Sequence, residues 1–440
     1  DFFDLGGASL AALEVVARVD DELDVDLPDA ALFSHRTIAE LAAEIDRRRS
    51  GGADRSLPTT AIPRLDPDRP VPLSAGEEAM LLEHLADPTD IRYNVARHYT
   101  IRGTLEPARL AAAIETVVAR HGPLHTAFDR DRTVLTAAEA IRFRSLATSG
   151  TDGDDDGDAA RRESIDALAG EPFHLRRGPL VRVDVGERTP GVWDVLVATH
   201  HISIDAGTFD LLWYEIGEAY AGRTLPELPV TAAEHADWQR RSAGRHAEFW
   251  SEQRGALDPE PVALDAPDEP EPDGYLHRVA SLTPAELHDG PGTTPFATSL
   301  AAAAVVLARW SRSGRIEIGV TASTKDHRDA RPLIGYYLNS LPLGIEVPSH
   351  GVLADVAHRA SATVGRALEH RTYPFAQMVR DARRLGEREP SIAHMLAYEE
   401  LAPAEFAGMP AEHRILASGT SVTELTFFVQ ERSDSVRLGL

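Results

Sequence analysis

Apolar residues recur with helical spacing in the first fifty residues of the chain. Leu10, Leu13 and Val16 lie on one face of a predicted helix that follows Ser9. A second helix is predicted to begin at Thr37, where Thr37-Ile38-Ala39-Glu40 has the form of a capping box. Its predicted buried face consists of Ile38, Leu41, Ala42 and Ile45. Residues 1–50 therefore read as a small helical unit with a thin core.

Polar and proline-rich positions separate this unit from a longer region of mixed pattern. Residues 51–72 contain five prolines and are predicted to form a semi-extended linker. From Leu73 onward the spacing alternates between helix and strand. Predicted helices are Glu77–Leu85, one beginning just after Asp205, Phe296–Trp310 and Val352–Leu368; predicted strands are Tyr93–Ile101, Leu180–Val185, Val192–Thr199, Ile316–Thr321 and Leu425–Val429. This order predicts two α/β lobes, at residues 73–270 and 271–440.

Composition narrows the possible functions. The 440 residues include 70 acidic and 45 basic side chains, a net charge of −25, which disfavours partners such as nucleic acid or anionic membranes. There is no cysteine, so disulfides and thiol chemistry are excluded. No apolar run has spanning length, and we expect a cytoplasmic protein. Lys325 is the only lysine, which we interpret as a compositional bias. Both ends look cut, as in a piece of a longer polypeptide.

The segment His200-His201-Ile202-Ser203-Ile204-Asp205 is the first candidate for chemistry. Neighbouring strand residues point to opposite faces, so one histidine can enter a cleft while the other faces the fold. Asp205 can cap the following helix or pair with an arginine. Two core histidines beside a helix cap are an equally good interpretation of these residues alone. A metal site is disfavoured, because few ligands are present and none is cysteine.

Ser9 is the second candidate. Two glycines precede it at a predicted helix start, where a serine hydroxyl serves either as a cap or as an exposed nucleophile. Capping alone explains most such serines. The whole string Asp-Phe-Phe-Asp-Leu-Gly-Gly-x-Ser-Leu at residues 1–10 favours the functional interpretation.

That string resembles the phosphopantetheine-attachment motif of the peptidyl carrier domain in nonribosomal peptide synthetases. Ala8 departs from the motif, which has His or Asp before the serine. The resemblance implies a carrier bundle whose first helix is missing here, and 4′-phosphopantetheine attached covalently to Ser9. It also implies a phosphopantetheinyl transferase as a partner.

Residues 73–440 resemble the condensation domain of the same synthetases. Several motifs occur in the family's order: Ser74–Glu77, Arg120–Phe128, the signature His-His-x-x-x-Asp-Gly at His200–Ala206, Glu234–Trp238, Ile334–Ser340 and His370–Phe375. Departures from the family pattern are Glu77, Gly122, His125 and Ala206. An ordered set of matches is far more specific than any single one.

The condensation resemblance implies a fold of two chloramphenicol-acetyltransferase-like lobes with a substrate tunnel between them, and a reaction. The amine of a downstream carrier-bound aminoacyl group attacks the thioester of an upstream carrier-bound chain. His201 is expected to be catalytic with His200 and Asp205 in support, and Arg328 is the candidate ion-pair partner of Asp205. Asn339, Tyr337, Ala206 and Gly207 are expected to line the tunnel. Partners would be the upstream and downstream carrier and adenylation domains.

Three alternatives remain. An epimerisation domain shares the histidine pair, although Ile334–Ser340 looks more like condensation. A heterocyclisation domain would carry aspartates at the positions of His200 and His201. A catalytically inactive platform that recruits a tailoring enzyme is compatible with Ala206, Gly122 and His125.

Overall fold

The computed structural model describes most of the second region and part of the first. The described residues are 2, 15–16, 18–19, 22–23, 25, 27, 31–49, 61–66, 71–128, 134–136, 141–146, 155–256, 279–287, 294–401, 405–416, 421–432 and 434–440. Ser9, Leu10 and Leu13 lie outside them.

Helices and strands are interspersed from residue 75 onward. The α-helices are α1 (Ala31–Ser34), α2 (Ile38–Arg49), α3 (Ala75–Ala86), α4 (Pro107–Arg120), α5 (Asp155–Ala169), α6 (Ala206–Tyr220), α7 (Ala232–Ser242), α8 (Ala247–Ala256), α9 (Pro284–Leu287), α10 (Pro295–Ser311), α11 (Leu353–Glu369) and α12 (Phe375–Leu385). The strands are β1 (Asn94–Arg102), β2 (Thr126–Phe128), β3 (Val134–Thr136), β4 (Arg142–Ser145), β5 (Val181–Thr189), β6 (Val192–His200), β7 (Val279–Leu282), β8 (Arg315–Ser323), β9 (Leu338–Glu346), β10 (His394–Glu400), β11 (Glu405–Phe406), β12 (Met409–Leu416), β13 (Leu425–Glu431) and β14 (Val436–Gly439). The predicted helices and strands of the second region are confirmed, with shifts of a few residues at their ends.

The N-terminal unit has its own small core, with Leu41 and Ile45 of α2 packed against Val16 and Leu32. The capping box is confirmed, because Thr37 Oγ1 accepts from the Glu40 N–H and Glu40 accepts from the Thr37 N–H. The predicted buried face was partly wrong: Ile38 is 90% exposed. The buried stripe instead includes Glu44, whose carboxylate is neutralised by Arg47 and Arg48.

Two six-stranded sheets form the centres of the two α/β lobes. The first has the order β11-β12-β1-β6-β5-β4, and the second has the order β7-β14-β13-β10-β8-β9. Helices α4 and α6 cover one face of the first sheet, and α3 and α5 contribute to the core on its other face. Helices α10 and α11 pack against the second sheet. Aliphatic strand residues and the apolar stripes of these helices form the cores.

The chain crosses between the lobes in two places that a boundary at residue 270 does not anticipate. Strands β11 and β12 follow β10 in sequence but join the first sheet, where β12 pairs antiparallel with β1. Trp250 of α8 lies in the core of the second lobe, and its indole N–H donates to the His370 carbonyl at 2.9 Å. Hydrophobic spacing specifies that a segment is a strand or a helix, but not which of two sheets it completes.

A third connection is formed by residues 324–337, between β8 and β9, which we call the connecting loop. Its ends meet where the Thr324 N–H donates to the Tyr337 carbonyl at 2.6 Å. Beyond one short 3-10 turn at Arg328–Ala330 it has no regular secondary structure. The loop reaches from the second sheet to the first residues of α6. None of the described helices has both the length and the hydrophobicity needed to cross a bilayer.

Candidate active site

His200 is the last residue of β6 and is almost fully buried. Its Nδ1 accepts a hydrogen bond from the Ile202 N–H at 3.1 Å, so in the neutral ring Nε2 carries the proton. Burial, together with the nearby His84 and His201, lowers the pKa of His200 to about 3. The ring is therefore neutral near pH 7 and supports the turn, as expected for a histidine that faces the fold.

His201 begins the short turn between β6 and α6 and is partly exposed. Its backbone N–H donates to the Tyr93 carbonyl at 2.7 Å. Its ring Nδ1 lies 2.6 Å from the Ile204 carbonyl oxygen. Because a carbonyl oxygen only accepts, Nδ1 must carry the proton, and Nε2 is left with its lone pair. Among the described residues, none hydrogen-bonds Nε2. His201 thus presents a free basic nitrogen in a fixed orientation.

Asp205 is the N-cap of α6 and is buried. Its Oδ1 accepts from the Thr208 N–H at 2.8 Å, and its Oδ2 accepts from the Tyr337 N–H at 2.7 Å. The expected ion pair with Arg328 is wrong, since that side chain is mostly exposed and lies beside Asp329. Backbone donors satisfy the Asp205 carboxylate where the connecting loop meets the helix.

Lys325 lies in the connecting loop and was not among the residues predicted for the site. Its Nζ donates to the carbonyls of Arg331 and Leu333, at 3.0 and 2.6 Å, and lies 5.0 Å from the centre of the Tyr337 ring. Burial lowers the pKa of Lys325 to about 8, although the charge of Asp205 opposes this shift. The only lysine of the chain therefore braces the loop beside Asp205. The only sequence feature that could have indicated a role for Lys325 is that no other lysine occurs in the chain.

Tyr336 lines a cavity of about 240 Å³ between the lobes and also contacts His201. The Tyr336 and His201 rings meet edge to face with centroids 5.3 Å apart. A glycine is required at position 76, beside this tyrosine, because a Cβ on Gly76 would lie 2.3 Å from Tyr336 Cε1. The cavity is also lined by Tyr93 and Glu83, which hydrogen-bond each other at 2.8 Å. Tyr336 thus contacts both the candidate base and this inter-lobe cavity.

The four residues expected in the tunnel occupy different places. Asn339 lines the inter-lobe cavity, but its amide donates to the Arg371 and Tyr373 carbonyls at 2.8 and 2.7 Å, so it also holds the chain before α12. Tyr337 is buried, and its backbone N–H donates to Asp205. Ala206 accepts from Arg97 through its carbonyl at 3.1 Å, and Gly207 is exposed in the first turn of α6.

His121, from the motif at Arg120–Phe128, connects α6 with the connecting loop. Its Nε2 lies 2.8 Å from Glu215 Oε2, and its Nδ1 accepts from the Ile334 N–H at 3.3 Å. Gly122 and His125 depart from the family pattern nearby: a Cβ built on Gly122 would meet nothing within 4 Å, and His125 Nδ1 lies 2.9 Å from the Val118 carbonyl oxygen. In the part of the chain that the structure describes, no cluster of three metal-ligating side chains occurs.

Residues 68–428 match the condensation domain family. This chain belongs to the condensation domain family. Residues 1–45 match the phosphopantetheine attachment site family, so the expected order of a carrier region followed by a condensation domain is confirmed. Glu77 departs from the motif at the start of the condensation domain, yet it completes a capping box with Ser74.

Curated relatives are much longer than this chain. It is 28% identical over 402 residues to tyrocidine synthase 3 of Brevibacillus parabrevis, covering 86% of this chain and 6% of the relative. It is 27% identical over 400 residues to gramicidin S synthase 2 of Brevibacillus brevis, covering 86% of this chain and 9% of the relative. The matched region therefore spans less than a tenth of the length of these two synthases.

Solved structures share the two-lobed fold. The starter condensation domain of rhizomide synthetase, in complex with C8-CoA, superposes with a TM-score of 0.73 at 22% identity, covering 84% of this chain and 88% of that one. The X-domain in complex with OxyB from teicoplanin biosynthesis gives 0.68 at 22% identity, covering 87% and 90%. The fold expected for a condensation domain is thereby confirmed.

Proposed function

We propose that this condensation domain forms an amide bond between two carrier-bound substrates, with His201 as the proton acceptor. The observation that carries the proposal is the free Nε2 of His201, which is held in place by the 2.6 Å contact between Nδ1 and the Ile204 carbonyl. A general base needs an available lone pair and a partner that stabilises the protonated ring. The Ile204 carbonyl is such a partner.

The proposed reaction is an acyl transfer. The amine nitrogen of the downstream aminoacyl group attacks the thioester carbonyl of the upstream chain, which forms the C–N bond. Nε2 of His201 takes the proton that the nitrogen loses and returns it to the sulfur as the C–S bond breaks. The products are an amide and a free thiol, so atoms and charge balance. Holding both substrates in line supplies much of the remaining rate enhancement.

We further propose that Ser9 carries the cofactor, since residues 1–45 match the phosphopantetheine attachment site family. The bound 4′-phosphopantetheine supplies the flexible arm and the thiol that holds an acyl chain as a thioester. The carrier region precedes the condensation domain in the chain, so the substrate on Ser9 is the donor. A phosphopantetheinyl transferase would modify Ser9, and a downstream carrier domain would deliver the acceptor.

The test is reconstitution with defined substrates. The full chain is loaded at Ser9 with a donor aminoacyl group, and a separate carrier bearing a second amino acid is added. We expect the donor mass to move to the acceptor carrier, as measured by intact-mass spectrometry. Ser9→Ala should accept no donor, and His201→Ala should load normally but transfer slowly. An inactive platform would give no transfer, and an epimerisation domain would invert a stereocentre without transfer.

A further inference from the structure

Ile62 lies in a segment outside both family matches, which cover residues 1–45 and 68–428. It was expected to belong to a semi-extended linker. Instead Ile62 is only 4% exposed and packs in a small apolar cluster. The other buried members of that cluster are Val230, Trp238, Ala330, Leu333 and Tyr337. Three of these residues belong to the connecting loop.

Two hydrogen bonds to Glu234 lie next to this apolar cluster. The Arg64 guanidinium donates to Glu234 Oε2 at 3.1 Å, and the Leu65 N–H donates to Glu234 Oε1 at 3.3 Å. Glu234 is buried and also accepts from the Thr231 N–H at 2.7 Å at the start of α7. Residues 62–65 are therefore fastened to both α7 and the connecting loop.

Helix α7 is itself bound to the connecting loop. The side-chain amide of Gln239 donates to the Thr324 carbonyl at 2.6 Å. The His235 ring meets the Tyr337 ring edge to face at 5.3 Å. Both attachments of residues 62–65 thus converge on the same loop, whose shape depends on packing because it contains little regular secondary structure.

The connecting loop also contacts the proposed active-site residues. Its Tyr337 N–H binds Asp205, and its Gly335 carbonyl accepts from Thr208 at 2.8 Å. Its Tyr336 ring is the one that contacts His201. Residues of one short loop therefore contact both Ile62 and the turn that contains His201 and Asp205.

We propose that Ile62 is a positioning residue for the condensation reaction: it clamps the connecting loop in the conformation that orients Asp205 and His201. This inference rests on the proposed amide-forming function for its kinetic consequence, but not for its structural one. It assigns a role in the active site to a residue ahead of the matched condensation region.

The experiment compares three variants of the full chain. Ile62→Ala removes the clamp, and Ile62→Leu keeps an apolar side chain of equal size. Val364→Ala is the matched control, because Val364 is buried in the core of the second lobe on α11, away from the loop. Activity is measured with small soluble thioester donors and free amine acceptors, so that delivery by carriers does not contribute.

We expect Ile62→Ala to increase hydrogen–deuterium exchange of peptides covering residues 324–337 and 204–210 about tenfold or more, because a cavity at a clamp lowers the cost of local opening. Val364→Ala should leave these peptides unchanged. We also expect kcat to fall about fivefold or more with KM nearly constant, since misplaced catalytic groups weaken transition-state interactions. Ile62→Leu should restore both properties.

Exchange and kcat in Ile62→Ala that match those of Val364→Ala would overturn the inference, while an active wild type would leave the proposed function standing. A wild type that forms no amide would contradict the proposed function instead. In that case the exchange measurement still decides whether Ile62 controls the loop.

Discussion

The backbone N–H of Tyr337 donates to Oδ2 of Asp205 at 2.7 Å, across 132 residues of sequence. This bond joins the connecting loop of the second lobe to the first turn of α6 in the first lobe. The same carboxylate caps the helix through the Thr208 N–H. The aspartate of the signature motif is thus a structural junction between the lobes, close to the histidine that we assign to catalysis.

Asp205→Ala should lower stability and activity together. The substitution removes a helix cap and leaves the buried Tyr337 N–H without an acceptor, which together should cost about 2 kcal/mol or more of unfolding free energy. Asp205→Asn keeps one acceptor oxygen and should lose less. Urea unfolding and amide formation, measured on the same preparations, check this. Unchanged stability in Asp205→Ala would show that the carboxylate does not hold the junction.

His201→Ala should leave the fold intact, because the partly exposed ring contributes little to packing. If Nε2 is the general base, its loss should slow amide formation on the order of 10²–10⁴-fold. A smaller loss would mean that His201 mainly positions the amine, which is already nucleophilic when neutral. The measurement is single-turnover transfer together with the melting temperature. A folded variant with wild-type turnover would end the catalytic assignment.

His200 should make stability depend on pH. Its native pKa is lowered to about 3, whereas an unfolded histidine titrates near 6.5. Between these values the unfolded state binds the extra proton, so the unfolding free energy should fall as the pH falls from 6.5. His200→Asn keeps an acceptor for the Ile202 N–H but does not titrate. We expect its urea midpoint to change less between pH 6.5 and 5.

The slope that is lost in His200→Asn should be up to about 1.4 kcal/mol per pH unit. His350→Asn is the control, because it makes the same replacement at an exposed position. Identical slopes in wild type and His200→Asn would show that His200 is not held in its neutral form.

Lys325 can be observed directly because it is the only lysine. With ¹³C-labelled lysine, one side-chain resonance should report its titration without further assignment. We expect a midpoint near 8 in the folded chain, because burial lowers this pKa. In urea the same resonance should titrate near 10.4, the value of an exposed lysine. A folded midpoint above 10 would contradict the burial of the Lys325 amine, to which the lowered pKa is due.

Much of the site follows from local sequence. The turn from His200 to Asp205, the helix that begins after it, and the capping box at Thr37 depend on residues two to four apart, whose hydrogen bonds are specified by residue type and spacing. The order of motifs predicted the family and the two lobes, and these are confirmed. Even so, the predicted buried face of α2 was partly wrong, since Ile38 is exposed. Spacing alone does not show which neighbouring elements cover a helix.

Only the tertiary structure decided which distant groups meet. Asp205 binds the Tyr337 N–H instead of Arg328, and Ile62 is buried against the connecting loop. The sequence alone does not identify the partner of a charged or apolar side chain when that partner lies a hundred or more residues away. The sequence therefore determined the chemical groups and their local turn. The packing of two sheets through one connecting loop determined their orientation, because the groups of α6 that this loop binds, Asp205 and Thr208, lie more than a hundred residues before it in the chain.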